Sequence, residues 1–291
     1  MSEQAGDTQE IGGALEWRFV RSAACFLERV ARCGRQRRAD PCDWTEDRVK
    51  PGVGKDRGSS PVRMTKNRPA SPYLAPGFYD RELARGRHRD IVGGRWDETG
   101  NLQLALLREV GLEPYHTLLD VGAGALRLGC KVVPFLEPGR YWATDPSLAL
   151  MRRGYDVELA HKDRLPEDHL IEDATFDFPG VPGDVDYAIA FAVFTHLPLA
   201  ALEHALPRMR ATFPRLRKLL FTVFHAPEGT PRLRQPDGVV THAERPPWHF
   251  APEAVAKVCE AAGFDAAPSE HRLPRGQVLW TAEIRPKPGA V

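Results

Sequence analysis

Short apolar runs alternate with amphipathic segments along most of the chain, from about Tyr73 onward. The runs have strand length, and most of the intervals between them carry apolar residues at helical spacing. The apolar runs lie at 117–121, 141–144, 168–171, 185–190 and 218–223, and the helical patterns lie at 126–136, 147–160 and 199–212. Strands that alternate with helices predict a parallel, doubly wound α/β sheet, whose strands all end at the same edge.

The flanking segments extend this pattern. A helix that Asp97 or Thr99 caps is expected to end at Gly111, and residues 173–184 predict a loop because they hold two prolines and two glycines. Near the end of the chain, a helix is expected over 252–262. Two strand-like segments, 264–270 and 277–284, follow it.

The first 63 residues differ in composition from the rest. They carry three of the five cysteines and many arginines. We expect residues 1–63 to form a poorly ordered or loosely packed N-terminal extension that cofactor binding does not need. Two alternatives stay open: one amphipathic helix over 14–33, and translation that begins at Met64.

Charge and cysteine content exclude several classes. Lys and Arg number 40 against 39 Asp and Glu, so no global charge favours nucleic acid or a membrane surface. No apolar run approaches the roughly 18 residues of a membrane span, and the acidic N-terminus does not resemble a secretory signal. The cysteine spacings match neither a metal site nor a disulfide framework. We expect a cytoplasmic protein without a metal.

A nucleotide-binding pattern lies in the first strand and turn. The sequence Leu118-Leu-Asp-Val-Gly-Ala-Gly124 places an acid and two glycines directly after an apolar run. Glycines let the turn approach a ligand, and Asp145 ends the second strand, where an acid can bind ribose hydroxyls. These features predict a nucleoside-type ligand. A dinucleotide is disfavoured, because Arg127 stands where that fingerprint has its third glycine.

Residues 73–285 resemble the class I methyltransferase fold. In that doubly wound, seven-stranded Rossmann-like fold, the strands lie in the order 3-2-1-4-5-7-6 and the seventh is antiparallel. More narrowly, several motifs resemble a group of bacterial methyltransferase-domain proteins of unknown substrate. The motifs are Gly86-Arg-His-Arg89, Val92-Gly-Gly94, Trp96, Leu102-Gln103, Phe194-Thr-His-Leu-Pro198 and Arg275-Gly-Gln277.

The resemblance implies S-adenosyl-L-methionine as the cofactor and assigns roles to individual residues. Asp120, Gly122, Ala123 and Gly124 would surround its methionine portion, and Asp145 its ribose. Asp173 and Ala174 would lie near the adenine, and Phe191 beside the sulfonium. Residues 117–291 would form the methyltransferase domain, and the helical segment 64–116 would contribute to the cofactor or substrate site. Two departures are Ala123, where many relatives have cysteine, and 213–217, where they have a Pro-Gly-Gly turn.

Two histidines are candidate general bases. His196 follows the fourth predicted strand and His225 lies just after the fifth, so both lie at the ligand-binding edge. Methyl transfer is an in-line displacement, and it needs a base only when the acceptor keeps its proton. For His196 the alternative is that the imidazole caps the helix beginning near Leu199.

Other candidates lie outside the strands. The proline-rich segment 226–247, with His242 inside it and His249 just beyond it, is either a substrate lid or a solvated loop. Residues 86–89 form a basic patch that lies near the cofactor or is merely solvated. Trp96 and Gln103 are expected to close over the methionine end, with core packing as the alternative for Trp96.

The function predicted from these features is methyl transfer to a small molecule, on O, N or C. The alternative is a protein that binds the cofactor without catalysis and serves as a partner or regulator. Nucleic-acid methylation is disfavoured, because the sequence has neither an Asn-Pro-Pro-aromatic motif nor a basic stretch interleaved with aromatic residues.

Overall fold

The computed structural model of the protein describes residue 73, residues 77–271 and residues 273–286. All of them belong to one unit, residues 67–291. The expectations for residues 1–63, the helix over 14–33 and the start at Met64 lie outside the described residues.

A central sheet organises this unit. The strands are β1 (Leu118–Val121), β2 (Tyr141–Asp145), β3 (Leu170–Glu172), β4 (Tyr187–Ala190), β5 (Lys218–His225), β6 (Arg232–Arg234), β7 (Val240–His242), β8 (His249–Phe250), β9 (Phe264–Pro268) and β10 (Val278–Ile284). The main sheet has the order β3-β2-β1-β4-β5-β10-β9. Strands β1 to β5 are parallel, and β10 is antiparallel to both of its neighbours. The predicted fold class and strand order are confirmed.

The helices connect the strands. They are α1 (Phe78–Ala84), α2 (His88–Ile91), α3 (Trp96–Glu109), α4 (Gly129–Val132), α5 (Leu148–Val157), α6 (Leu199–Thr212) and α7 (Pro252–Ala261). The side chain of Ser147 caps α5 by accepting a hydrogen bond from the main-chain nitrogen of Leu150. Strand β8 joins the main sheet by pairing in parallel with the end of β5, and β6 and β7 form a separate antiparallel hairpin.

Two local predictions are wrong, and one is confirmed. The segment predicted as a helix over 126–136 is mostly turns, and Leu126 has a positive φ of 60°. Its apolar side chains are buried by these turns without a continuous helix. Helix α3 is preceded by Arg95 in a left-handed conformation, without a side-chain cap, so neither Asp97 nor Thr99 caps it. Residues 173–184 form turns and bends, as predicted.

The core lies on both faces of the sheet. All four residues of β1 and all four of β4 are buried. Parallel strands covered by helices on both faces are apolar throughout, which explains their unbroken apolar runs in the sequence. Leu119 and Leu219 are fully buried, so truncation of either to alanine is expected to cost about 2–5 kcal/mol of stability. This rigid sheet positions the loops at its carboxyl edge.

Two further properties concern the described residues only. No helix among them is long and apolar enough to cross a membrane. Within the same part of the chain, no three histidine, cysteine or acidic side chains lie together in a group that could hold a metal ion.

Candidate active site

A cavity of about 650 Å³ lies at the carboxyl ends of β1, β2 and β4. This edge is where ligands bind in open parallel sheets, and the volume suits a small-molecule ligand. The segment before β1 and the residues just before β10 complete its walls. Of the predicted residues, the cavity wall includes Asp120, Gly122, Ala123, Gly124, Asp145, Asp173, Ala174, Phe191 and His196.

The turn after β1 brings its backbone close to the cavity. Gly122 and Gly124 have φ angles of 71° and 58°, a conformation that glycine adopts without strain. A Cβ atom at Gly122 would lie 2.5 Å from Cγ2 of Val193, and one at Gly124 would lie 2.4 Å from Cγ1 of Val92. Both positions therefore exclude a side chain, because the two valines pack against the glycines, and the turn itself lines the cavity.

Asp145 at the end of β2 is held by two backbone N–H groups. Gly124 donates to Oδ2 at 3.0 Å and Ser147 donates to Oδ1 at 2.9 Å. These bonds fix the carboxylate and leave each oxygen able to accept another hydrogen bond. Burial raises the pKa of Asp145 to about 6, although both backbone bonds oppose the shift.

Asp120 in β1 is the second buried acid of the cavity. The hydroxyl of Tyr141 donates to its Oδ2 at 2.8 Å. Burial raises the pKa of Asp120 to about 7, while the Tyr141 hydrogen bond and the nearby Arg127 lower it. Gln103 also lines the cavity, and its Oε1 is buried without a hydrogen-bond partner among the described residues. Both groups are suited to a cationic ligand atom.

Arg127 joins the turn after β1 to the N-terminal segment. One of its terminal nitrogens, Nη1, donates to the main-chain oxygens of Val92 at 2.6 Å and Gly94 at 3.2 Å. The side chain is 9% exposed and lines the cavity, and its Nε is buried without a partner among the described residues. Burial lowers the pKa of Arg127 to about 10, so the guanidinium remains charged at neutral pH.

Asp173 stabilises the loop after β3. Its carboxylate accepts hydrogen bonds from the main-chain nitrogens of Thr175 and Phe178 at 2.8 and 2.9 Å. The acid lines the cavity, but these bonds engage both of its oxygens. Ala174 and Phe176 line the same wall. This loop therefore presents main-chain groups and an aromatic ring to the cavity.

The wall beyond β4 is built around an unusual backbone conformation. Phe191 is buried, and the next residue, Ala192, has a positive φ of 61°. The main-chain nitrogen of Ala192 donates to the hydroxyl of Thr222 at 2.7 Å. That hydroxyl donates in turn to Oε1 of Gln277, also at 2.7 Å. Gln277 lines the cavity, so a residue of the sheet, Thr222, fixes one of the polar side chains of the cavity.

His196 lines the cavity from the loop before α6. Its ring packs edge-on against Tyr73 at a centroid distance of 4.8 Å. Burial, followed by the nearby charge of Arg275, lowers the pKa of His196 to about 4, which leaves the imidazole neutral at pH 7. Helix α6 has Pro198 as its N-cap and no side-chain cap. The alternative in which His196 caps this helix is therefore wrong.

His225 does not fit its predicted role as a base. It does not line the cavity, and both of its ring nitrogens have partners. Nδ1 contacts the main-chain oxygen of Phe250 at 3.0 Å, and Nε2 accepts from Nε1 of Trp280 at 2.9 Å. The first contact requires a proton on Nδ1, so the imidazole has no nitrogen left for an acceptor molecule.

Trp96 and the basic patch also lie outside the cavity wall. Trp96 is buried, with the guanidinium of Arg89 5.0 Å from its ring centre. Arg89 and His88 both bind the carboxylate of Glu158, at 2.6 and 2.7 Å. Trp96 therefore follows the alternative of core packing. The patch at 86–89 joins α2 to the end of α5 rather than facing a ligand.

The proline-rich segment contains the β6–β7 hairpin. Val239 and Pro247 from this segment line the cavity. Gln235 anchors the hairpin by donating to the main-chain oxygen of His225 at 3.0 Å. His249 is buried, with its two ring nitrogens against Thr241 and Thr230. The segment thus forms part of the cavity wall, and its role as a lid stays a prediction.

Sequence reasoning missed the polar residues that the turns bring to the cavity. The sequence singled out Arg127 only as a departure from a dinucleotide fingerprint. It singled out Arg275 and Gln277 only as part of a shared motif. Their importance depends on contacts with Val92, Gly93 and Thr222, which are distant in sequence. The one available signal was the presence of charged or amide side chains beside strand ends.

Comparison with known proteins supports the fold. No protein-family model matches the sequence, and no functionally curated protein matches it. Among solved structures, DhpI in complex with SAH is 16% identical, with a TM-score of 0.50, over 74% of this chain and 100% of that chain. A candidate O-methyltransferase from Nostoc punctiforme PCC 73102 is 18% identical, with a TM-score of 0.52, over 73% of this chain and 62% of that chain. Together with the strand order, these likenesses show that the chain has the Rossmann-like fold of class I methyltransferases.

Proposed function

We propose that the protein is an S-adenosylmethionine-dependent methyltransferase that acts on a small molecule. The observation that carries this proposal is the arrangement of Asp120, Asp145 and two glycines with positive φ around one cavity at the carboxyl edge of the sheet. DhpI, which has a similar fold, was solved with SAH. SAH, S-adenosylhomocysteine, is the product that remains when the cofactor gives up its methyl group.

The residues of the cavity fit a zwitterionic amino acid joined to a nucleoside. Asp120 and the unpartnered Oε1 of Gln103 supply acceptors for an ammonium group, and Arg127 supplies a cation for a carboxylate. Asp145, already oriented by two backbone N–H groups, has acceptor capacity left for ribose hydroxyls. Gly122 and Gly124 line the same cavity as these two acids.

At the adenine end, the residues of the cavity agree less closely with the prediction from sequence. The carboxylate of Asp173 is engaged by its own loop, so we assign it to loop geometry rather than to direct contact with the base. Ala174 and the ring of Phe176 are the candidates for adenine contact, because both line the cavity beside β3. Aromatic rings commonly stack on nucleobases.

When bound, S-adenosylmethionine would supply a methyl group on a positively charged sulfur, for displacement by an electron pair of the acceptor. Phe191 and Val193 line the apolar part of the cavity next to β4 and exclude water there. His196 is neutral and can accept a hydrogen bond from an acceptor hydroxyl or amine. A pKa near 4 makes it a weak base, so positioning is its main proposed role.

Two measurements test the proposal. Isothermal titration calorimetry with S-adenosylhomocysteine is expected to detect binding to the full chain. Incubation with methyl-labelled S-adenosylmethionine and a panel of small acids, phenols and amines is expected to yield a labelled product. Binding without product formation from any acceptor would favour the alternative of a non-catalytic partner. Absence of binding in folded protein would contradict the proposal itself.

A further inference from the structure

The amide of Gln277 is oriented by a fully buried hydroxyl. Thr222 has no exposed surface, and its hydroxyl accepts the Ala192 N–H at 2.7 Å. The single hydroxyl proton therefore needs an acceptor, and Oε1 of Gln277 provides it at 2.7 Å. This bond turns the amide nitrogen away from Thr222. Gln277 is 8% exposed and lines the cavity, and its N–H donors have no acceptor among the described residues.

Arg275, two residues earlier, lines the same cavity. Its guanidinium donates to the main-chain oxygen of Gly93 at 3.1 Å, and no carboxylate in the described part of the chain forms an ion pair with it. Asp237 accepts from the main-chain nitrogen of Arg275 at 2.7 Å, but that carboxylate is exposed to solvent. Arg275 also has a positive φ of 66°. The backbone thus holds a strained conformation that places a cation at the cavity.

The surroundings define what these donors can bind. Phe191, Val193, Leu197 and Phe224 line the cavity, whereas the buried acids Asp120 and Asp145 lie at the ends of β1 and β2. His196 is neutral. This part of the cavity therefore combines the guanidinium of Arg275, which also lowers the pKa of the nearby Arg127, with one primary amide and apolar walls.

We infer that Arg275 and Gln277 bind the carboxylate of a monoanionic acceptor and hold that acceptor beside His196. This inference rests on the proposed function, because it assigns the substrate class of the same site. Arg127 is assigned to the cofactor carboxylate, and Arg95 lies 3.8 Å from Glu98. Arg275 therefore balances one negative charge of the acceptor, whereas a phosphate dianion would leave charge uncompensated among apolar walls. A neutral acceptor would leave the Arg275 guanidinium without an anionic partner. Charge-assisted bonds to a carboxylate satisfy both donors.

Benzoate and benzamide are the probes for this site. They share a ring and a planar head group, but only benzoate is anionic. Ligand-observed NMR titrations are run on the full chain both with and without saturating S-adenosylhomocysteine. We expect benzoate to bind at least about tenfold more tightly than benzamide, the difference that one charge-assisted bond produces.

Two variants separate binding from folding. Gln277→Glu keeps an oxygen that accepts the Thr222 hydroxyl but replaces the amide donors with negative charge, so benzoate affinity should fall at least about tenfold. Arg275→Gln keeps a donor for Gly93 but removes the cation, and a similar loss is expected. Arg234→Gln is the matched control, because Arg234 also donates to a main-chain oxygen, that of Gly238 at 3.0 Å, but lies outside the cavity wall. Circular dichroism melts check that each variant folds.

Several results would overturn the inference. They are equal affinity for benzamide, unchanged benzoate affinity in folded Gln277→Glu and Arg275→Gln, or an equal loss in Arg234→Gln. Calorimetry on the same samples measures S-adenosylhomocysteine. If Arg275→Gln loses that ligand, Arg275 serves the cofactor and not the acceptor. If wild type fails to bind S-adenosylhomocysteine, the proposed function fails, while the titration without it still tests the carboxylate site.

Discussion

Arg127 donates a 2.6 Å hydrogen bond to the main-chain oxygen of Val92, and the side chain of Val92 covers Gly124 on the other side of the turn. One guanidinium therefore connects the segment before α3 to the glycine turn after β1. The side chain of Arg127 also lines the cavity and carries the positive charge that lies near Asp120.

Replacement of Arg127 is expected to weaken cofactor binding. Arg127→Met removes both the carbonyl contacts at Val92 and Gly94 and the charge proposed to bind the methionine carboxylate. A hydrogen bond to a charged group is worth about 1.5–3 kcal/mol, so affinity for S-adenosylhomocysteine should fall at least about tenfold. Calorimetry measures the loss. Arg164→Met is the matched control, since Arg164 also donates to main-chain oxygens, those of Val133 and Leu136, away from the cavity wall. An equal loss in both variants would contradict a specific role.

Asp145→Ala tests the proposed ribose contact. Gly124 and Ser147 each donate one hydrogen bond to the carboxylate. Each oxygen can accept another bond, and Asp145 lines the cavity. Loss of two charge-assisted bonds should lower S-adenosylhomocysteine affinity by at least about tenfold. Glu172→Gln is the control, because Glu172 pairs with Asp145 in register on β3 but is exposed. Unchanged affinity in folded Asp145→Ala would move the ribose contact elsewhere.

The sequence was sufficient to predict the sheet because each strand carries its own apolar run. Strand order, Asp120 at the end of β1 and Asp145 at the end of β2 all follow from local pattern together with the resemblance. The turns were harder to predict from the sequence. Residues 126–136 keep helical apolar spacing although most of them are in turns. His225 could not be assigned either, since the partners of its nitrogens, Phe250 and Trp280, come from strands formed much later in the chain.

Cofactor affinity is expected to depend on pH through Asp120. Burial raises its pKa to about 7 in the free protein, so the acid is mostly protonated at pH 5.5. An ammonium group favours the ionised form, so binding must release a proton there, and affinity should rise by about tenfold or more between pH 5.5 and 7.5. Calorimetry at both pH values measures this rise. Asp120→Asn should bind more weakly at pH 7.5 and lose most of the rise, leaving the smaller part due to Asp145.

The same shift has a consequence for the free protein. A carboxyl whose pKa is higher in the folded state than in the unfolded state holds its proton more tightly when folded. Between about pH 4 and pH 7, stability from Asp120 therefore decreases as pH rises. Urea unfolding at pH 5 and pH 7.5 should show a smaller difference in Asp120→Asn than in wild type. An equal difference in both proteins would contradict a raised pKa at this residue.

The last prediction concerns the protonation of His196. Burial and the charge of Arg275 lower its pKa to about 4, and no described residue forms a hydrogen bond with its imidazole. NMR titration of the Cε1–H signal, assigned by its loss in His196→Gln, should therefore show a neutral ring from pH 5.5 to pH 8. In Arg275→Gln the pKa of His196 should rise, because one of the two causes has been removed.

The stability of the protein provides an independent measurement of the same shift. An unfolded histidine takes up its proton near pH 6.5, whereas folded His196 takes it up only near pH 4. Its contribution is therefore fully present above about pH 6.5 and is lost as pH falls toward 4, opposite in direction to that of Asp120. His196→Gln should remove this loss in urea unfolding measured at pH 7 and pH 5. A pKa at or above 6.5 for His196 would contradict the buried, neutral imidazole and would restore the case for a general base, whose rate rises with pH through that value.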